Sequence, residues 1–245
     1  MTPPLVLCYH AVSDSWPAML TVTPRRLEQQ LGLLVGRGYH GATFTQAVTR
    51  PSDERTLVVT FDDAYRSVIE HAFPILARLG LPGTVYAVTG GVGANGPMAW
   101  PGIDQWLGGP HENELTGVSW SNLKTLAGAG WEIGSHTRTH PHLTRLSDTE
   151  LQAELTGSRE DCEGHLGMAC RSLAYPYGDV DARVVEATRA AGYEAACALP
   201  KGRLHGPDPL CWPRIGVYRK DASWRYRLKV SPLARRIRNV KRAER

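Results

Sequence analysis

Two adjacent carboxylates close a run of β-formers, Thr56-Leu57-Val58-Val59-Thr60-Phe61-Asp62-Asp63, and a histidine pair closes another, Trp131-Glu132-Ile133-Gly134-Ser135-His136-Thr137-Arg138-Thr139-His140. Charge placed where a buried strand runs out is costly unless something at the strand end uses it. One Asp and two His make a three-ligand set for a catalytic divalent ion that keeps open positions. The other Asp of the pair is then free to act as a base. The chemistry implied is metal-assisted hydrolysis.

Positioning these groups requires strands that end together. Short apolar, β-branched runs at 5–10, 39–43, 56–62, 83–89, 131–136, 171–176, 193–199 and 214–218 alternate with helical stretches at 24–37, 64–79, 119–129, 147–167 and 181–191. Thr23-Pro24 reads as an N-cap followed by proline at the first helical position, and Ser147-Asp148-Thr149-Glu150 as a capping box. Leu27, Leu31, Leu34 and Val35 recur at helical spacing and form one apolar stripe. Such alternation predicts an α/β fold with a parallel sheet, and at this strand number a closed or nearly closed barrel. Residues 90–118 break the rhythm with eight glycines and three prolines, together with Trp100 and Trp106, and are expected to be a lid insertion beside the active face.

A chain that is 42% hydrophobic and 21% charged is an ordinary globular one, long enough for a single large domain. The domain is expected over 1–228. A net charge of +4 is too small to imply nucleic acid as a partner. Much of the excess sits in a basic tail, 229–245, where Arg235, Arg236, Arg238, Lys241, Arg242 and Arg245 face Glu244 alone. That tail is expected to be solvated, with weak membrane-surface contact as the alternative. The five cysteines show no CxxC pairing and read as reduced thiols. No cleavable signal or apolar run of transmembrane length is visible, so a cytoplasmic location is expected.

Three segments in order resemble the first three motifs of the NodB-homology polysaccharide deacetylases: Thr60-Phe61-Asp62-Asp63-Ala64-Tyr65, Ser135-His136-Thr137-Arg138-Thr139-His140, and Ala174-Tyr175-Pro176-Tyr177-Gly178. The resemblance covers roughly residues 5 to 218 and implies a distorted (β/α)7-type barrel with a metal at the C-terminal rim. It implies Asp63, His136 and His140 as metal ligands and Asp62 as the general base that takes a proton from water. Zinc is the expected ion, with cobalt or another first-row metal as alternatives. Tyr177 would offer its backbone N–H to the oxyanion.

Two departures stand out. Ala174 occupies the position where the family usually has an arginine that orients the base, and Arg214 is the candidate replacement. The family's late Leu-x-His motif, source of the general acid, is missing. The chain instead opens Leu5-Val6-Leu7-Cys8-Tyr9-His10, which is similar to the circularly permuted branch of the family and offers His10 as the acid. Trp100, Pro176, Trp212 and Arg214 are expected to line the substrate groove. His142 reads as a loop residue rather than a fourth ligand, and Trp120 and Trp131 as packing.

The function expected is removal of N-acetyl groups from N-acetylglucosamine-type sugars in a glycan or glycan precursor. The alternatives are hydrolysis of another small amide, such as a formyl group on a lipid-linked aminosugar, and a carbohydrate-binding protein that has lost catalysis.

Overall fold

The structure, a computed structural model, describes residues 3–199 and 208–231, with Ala234. Its strands in chain order are β1 (Leu5–Tyr9), β2 (Ala11–Val12), β3 (Thr21–Val22), β4 (His40–Gly41), β5 (Thr56–Phe61), β6 (Thr84–Ala87), β7 (Glu132–Ser135), β8 (Ser172–Ala174), β9 (Ala195–Ala198), β10 (Trp212–Pro213) and β11 (Ile215–Gly216). The helices are α1 (Pro24–Val35), α2 (Phe44–Thr49), α3 (Phe73–Arg78), α4 (Trp120–Gly128), α5 (Asp148–Leu166), α6 (Ala182–Ala190) and α7 (Ser223–Lys229). The basic tail beyond residue 234 lies outside the described residues.

All pairings in the main sheet are parallel, in the order β10-β9-β8-β7-β6-β5-β1-β11, with β4 beside the first half of β5. Strands β10 and β11 flank Arg214 and act as two halves of one closing strand: the first half pairs with β9 and the second with β1. Counted that way, and with β4 included, eight strands form an almost closed barrel.

Strict alternation sorts the side chains. In β1, Leu5, Leu7 and Tyr9 join the outer core beneath the helices, while Val6 points into the barrel; in β5, Leu57, Val59 and Phe61 go outward and Val58 inward. The same period of two carries Cys8, His10, Thr60 and Asp62 to the inner face. Outside, Leu27, Leu31 and Leu34 of α1 supply the stripe that covers the sheet. Thr23 caps that helix by accepting from the Arg26 N–H, with Pro24 at its first position.

The helix expected over 64–79 is interrupted. Asp63 and Ala64 take left-handed φ values of 68° and 54°, and a π-helical turn over Val68–Ala72 precedes α3. Pro74 has no N–H to offer the carbonyl of residue 70, so the turn widens there. Segment 90–118 holds three short 3-10 turns and packs inward: Met98, Trp100, Ile103 and Leu115 are buried against Trp16 and Tyr65. All five cysteines are buried, and none of them is in a disulfide. Among the described residues no helix is long and apolar enough to cross a membrane.

Candidate active site

Asp62 and Asp63 follow β5 directly, and the left-handed turn at Asp63 sends the two carboxylates in different directions. His136 follows β7, and His140 returns over it through a loop in which Thr137 and His140 have φ values of 66° and 62°. This brings Nε2 of both histidines to 3.4 Å from Asp63 Oδ1. All three residues are buried. The Nδ1–H of His136 donates to the Ala174 carbonyl at 2.7 Å, which fixes the tautomer and leaves Nε2 free toward Asp63. Ala174 thus contributes its backbone carbonyl, not its side chain, to the site.

The electrostatics of the triad call for a cation. Asp63 Oδ1 is buried without a hydrogen-bond partner. Burial and the neighbouring Asp62 charge push the Asp63 carboxyl well above the usual carboxylate range. Burial also holds both histidines in the neutral form, His140 down to about 2 with help from His136. Two neutral imidazoles and one unpartnered carboxylate oxygen are the donor set of a divalent ion, and these residues fit one.

Asp62 is handled differently. Although burial opposes its charge, Arg214 holds its carboxyl well below the ordinary range. Two Arg214 nitrogens meet the two Asp62 oxygens at 2.6 and 2.7 Å, and one of them also donates to Thr60 Oγ1 at 2.9 Å. The Cys8 thiol adds a contact to Asp62 Oδ2 at 3.4 Å, and His10 Nε2 lies 4.0 Å from the same oxygen. Arg214 thus supplies a guanidinium beside Asp62 that a side chain at Ala174 does not. Burial first, then Arg214, hold the His10 imidazole at about 4.

The third motif forms a tight turn after β8 in which Tyr177 has φ 58° and ψ 1°. The ring of Tyr177 meets His140 edge-on at 4.6 Å and stacks on His142 at 4.1 Å, while its hydroxyl donates to the Pro101 carbonyl at 3.2 Å. Pro176 is buried at the start of the turn. Trp100 is not an open sugar platform, because its ring is stacked on His140 at 4.5 Å and 20°. Trp212 packs against the barrel-interior cluster of Val6, Phe44 and Cys197, not in a groove, since alternation turns it inward one step below Arg214. His142 pairs with Asp179 at 3.4 Å, away from the triad. Trp120 stacks on His165 and Trp131 on Phe61.

Thr60 and Cys8 are the contacts that sequence reasoning missed. Each sits two residues before a candidate catalytic residue on the same strand face, so the period of two was the available signal.

The sequence profile of the polysaccharide deacetylases matches residues 49–196. The chain belongs to that family. Among its relatives is Bacillus subtilis YxkH, named for the same family, 24% identical over 203 residues that cover 80% of this chain and 64% of the relative. The Staphylococcus aureus poly-beta-1,6-N-acetyl-D-glucosamine N-deacetylase is 25% identical over 134 residues, covering 51% of this chain and 41% of that one. This member therefore spans less than two thirds of the length of these relatives. The same fold occurs in Streptococcus pyogenes deacetylase PplD in complex with acetate (TM-score 0.76, 20% identity, 95% of this chain and 99% of that one). It also occurs in IcaB from Ammonifex degensii (TM-score 0.73, 23% identity, 99% and 98%).

Proposed function

We propose that this deacetylase-family protein is a metal-dependent hydrolase that removes N-acetyl groups from N-acetylglucosamine-type sugars in a glycan or glycan precursor. One observation carries the reading: a buried Asp-His-His set with an unpartnered carboxylate oxygen stands beside a second carboxylate locked in its charged form by Arg214. A protein that only bound sugar would have no use for the second carboxylate.

Asp63, His136 and His140 would hold the ion. When bound, a divalent ion brings the pKa of water down to about 7 and polarises the amide carbonyl. Asp62, ionised and fixed in orientation, takes the proton of the attacking water. The backbone N–H of Tyr177, set by its left-handed turn, would face the developing oxyanion, a donor contribution of about 3 kcal/mol. His10 would protonate the leaving amine as the C–N bond breaks, giving acetate and a free amino sugar. The imidazole is neutral at rest; negative charge accumulating beside it favours its taking up a proton from solvent, and Asp62 returns its own proton to solvent after turnover. The name of the Staphylococcus aureus relative supports an N-acetylglucosamine substrate.

The test is acetate release from N-acetylglucosamine oligomers by purified protein, with and without chelator, and with zinc or cobalt restored. Chelator-sensitive release supports the reading. Metal-loaded protein that releases no acetate from any oligomer, and no formate from formylated analogues, overturns it.

A further inference from the structure

His140 reaches Asp63 and His136 through a loop held in a strained shape. Thr137 and His140 both have left-handed φ, a conformation costing of order 1–3 kcal/mol per non-glycine residue unless the surroundings enforce it. The enforcing contacts can be followed one N–H at a time. His136 N–H donates to the Ala87 carbonyl, Thr137 N–H to Ser135 Oγ, and His140 N–H to Thr137 Oγ1. The remaining two, Arg138 N–H and Thr139 N–H, both donate to one oxygen of Glu154, at 2.8 and 2.9 Å. The other Glu154 oxygen accepts from Thr139 Oγ1 at 2.6 Å.

Glu154 lies on α5, outside the three motifs. Asp161, two turns further along the same helix face, grips the Arg138 guanidinium at 2.8 and 2.9 Å. Between them is Gly157, where a Cβ would stand 2.9 Å from Arg138 Cζ. The face of α5 turned to the loop is thus carboxylate, bare backbone, carboxylate. Among the described contacts no other side chain accepts from the backbone N–H groups of residues 138 and 139, while the loop's carbonyls are tied separately: Thr137 O accepts from Thr89 N–H at 3.1 Å and Arg138 O from Gly90 N–H at 2.9 Å.

We propose that Glu154 is a positioning residue for the metal centre, which sets where His140 stands by clamping the backbone just before it. This inference rests on the metal reading of the site. Partners that hydrogen-bond a ligand itself typically alter metal affinity by about 10–100-fold when lost; Glu154 acts one step further out, through the backbone next to His140, and that range bounds its effect.

The experiment is a Co2+ titration of the full chain against a competing chelator, with the visible absorption spectrum recorded for the unaltered protein, Glu154→Ala and Glu154→Gln. Expected is a dissociation constant weakened by up to about 100-fold for Glu154→Ala, with an altered Co2+ spectrum. Glu154→Gln keeps an oxygen for the two N–H groups and should stay within a few-fold of the unaltered protein. A folded Glu154→Ala that binds Co2+ with unchanged constant and spectrum overturns the inference, even if its thermal midpoint has dropped. Should Glu154→Ala fail to fold, Glu154→Asp, one methylene too short to reach the loop, is judged by the same criteria. If the unaltered protein takes up no Co2+, the metal reading itself falls and this inference falls with it. Co2+ binding that is equal in all variants overturns the inference alone.

Discussion

Arg214 and Asp62 meet edge to edge, guanidinium to carboxylate at 2.6 and 2.7 Å, although 152 residues separate them in sequence. Both are buried. Removing one partner of such a pair leaves an uncompensated charge, at a cost of about 3–5 kcal/mol. Arg214→Ala should therefore lower stability by that order in urea unfolding and reduce turnover by about 100-fold or more, because Asp62, the proposed base, loses its orientation. Arg214→Lys, with a point charge in place of a planar fork, should recover stability better than turnover.

Chelation should abolish turnover, with recovery on adding back zinc or cobalt. Asp63→Ala and His136→Ala should lose bound metal, as measured by elemental analysis. Asp62→Asn should keep the metal and lose turnover. Retained turnover in Asp62→Asn would remove that residue from the role of base.

The pH dependence of stability has a definite sign. The folded-state pKa of His10 is lowered from 6.5 to about 4, so between these values the unfolded chain binds a proton that the folded one does not. Stability contributed by the neutral imidazole is present above pH 6.5 and declines as pH falls toward 4. Urea titrations of chelated protein at several pH values should show this decline, and His10→Gln should make it shallower in that window.

Trp100 stacked on His140 should serve as a built-in reporter. Co2+ binding is expected to quench part of the tryptophan emission, and Trp100→Phe should remove that component. Quenching of equal size in Trp100→Phe would place the ion elsewhere.

Gly178 has φ 67°, and a Cβ there would stand 2.4 Å from the Leu199 carbonyl oxygen. Backbone cannot swing aside as a side chain end does. Gly178→Ala should cost about 1–3 kcal/mol and lower turnover through the adjacent Tyr177, with both effects read from thermal unfolding and initial rates.

The strands were legible because β-branched runs such as 56–61 are buried on both faces, and period-two alternation then decides which side chains enter the barrel. The two carboxylates and the histidine pair were legible because charge at a strand end is unusual. The π-helical turn was readable in principle from Pro74, but a continuous helical pattern over 64–79 concealed it. Helices α2 and α7 span about two turns each, too short for a periodic signal. Glu154 gave no sign of its contacts, since a glutamate in the middle of an amphipathic helix looks like solvated charge. The stacking of Trp100 on His140 was equally hidden, because it depends on how a long irregular segment folds back over the rim.

The closing strand joins β9 through its first half and β1 through its second, with Arg214 at the changeover. Synthesis runs from the N-terminus, so Asp62 and its strand exist long before Arg214 does. Until residues 212–216 arrive, the carboxylate has no guanidinium, and the unclosed seam between β9 and β1 lets water solvate it. Completion of the barrel and orientation of Asp62 are thus a single late event, and a nascent or partly unfolded chain holds no half-formed version of that pair.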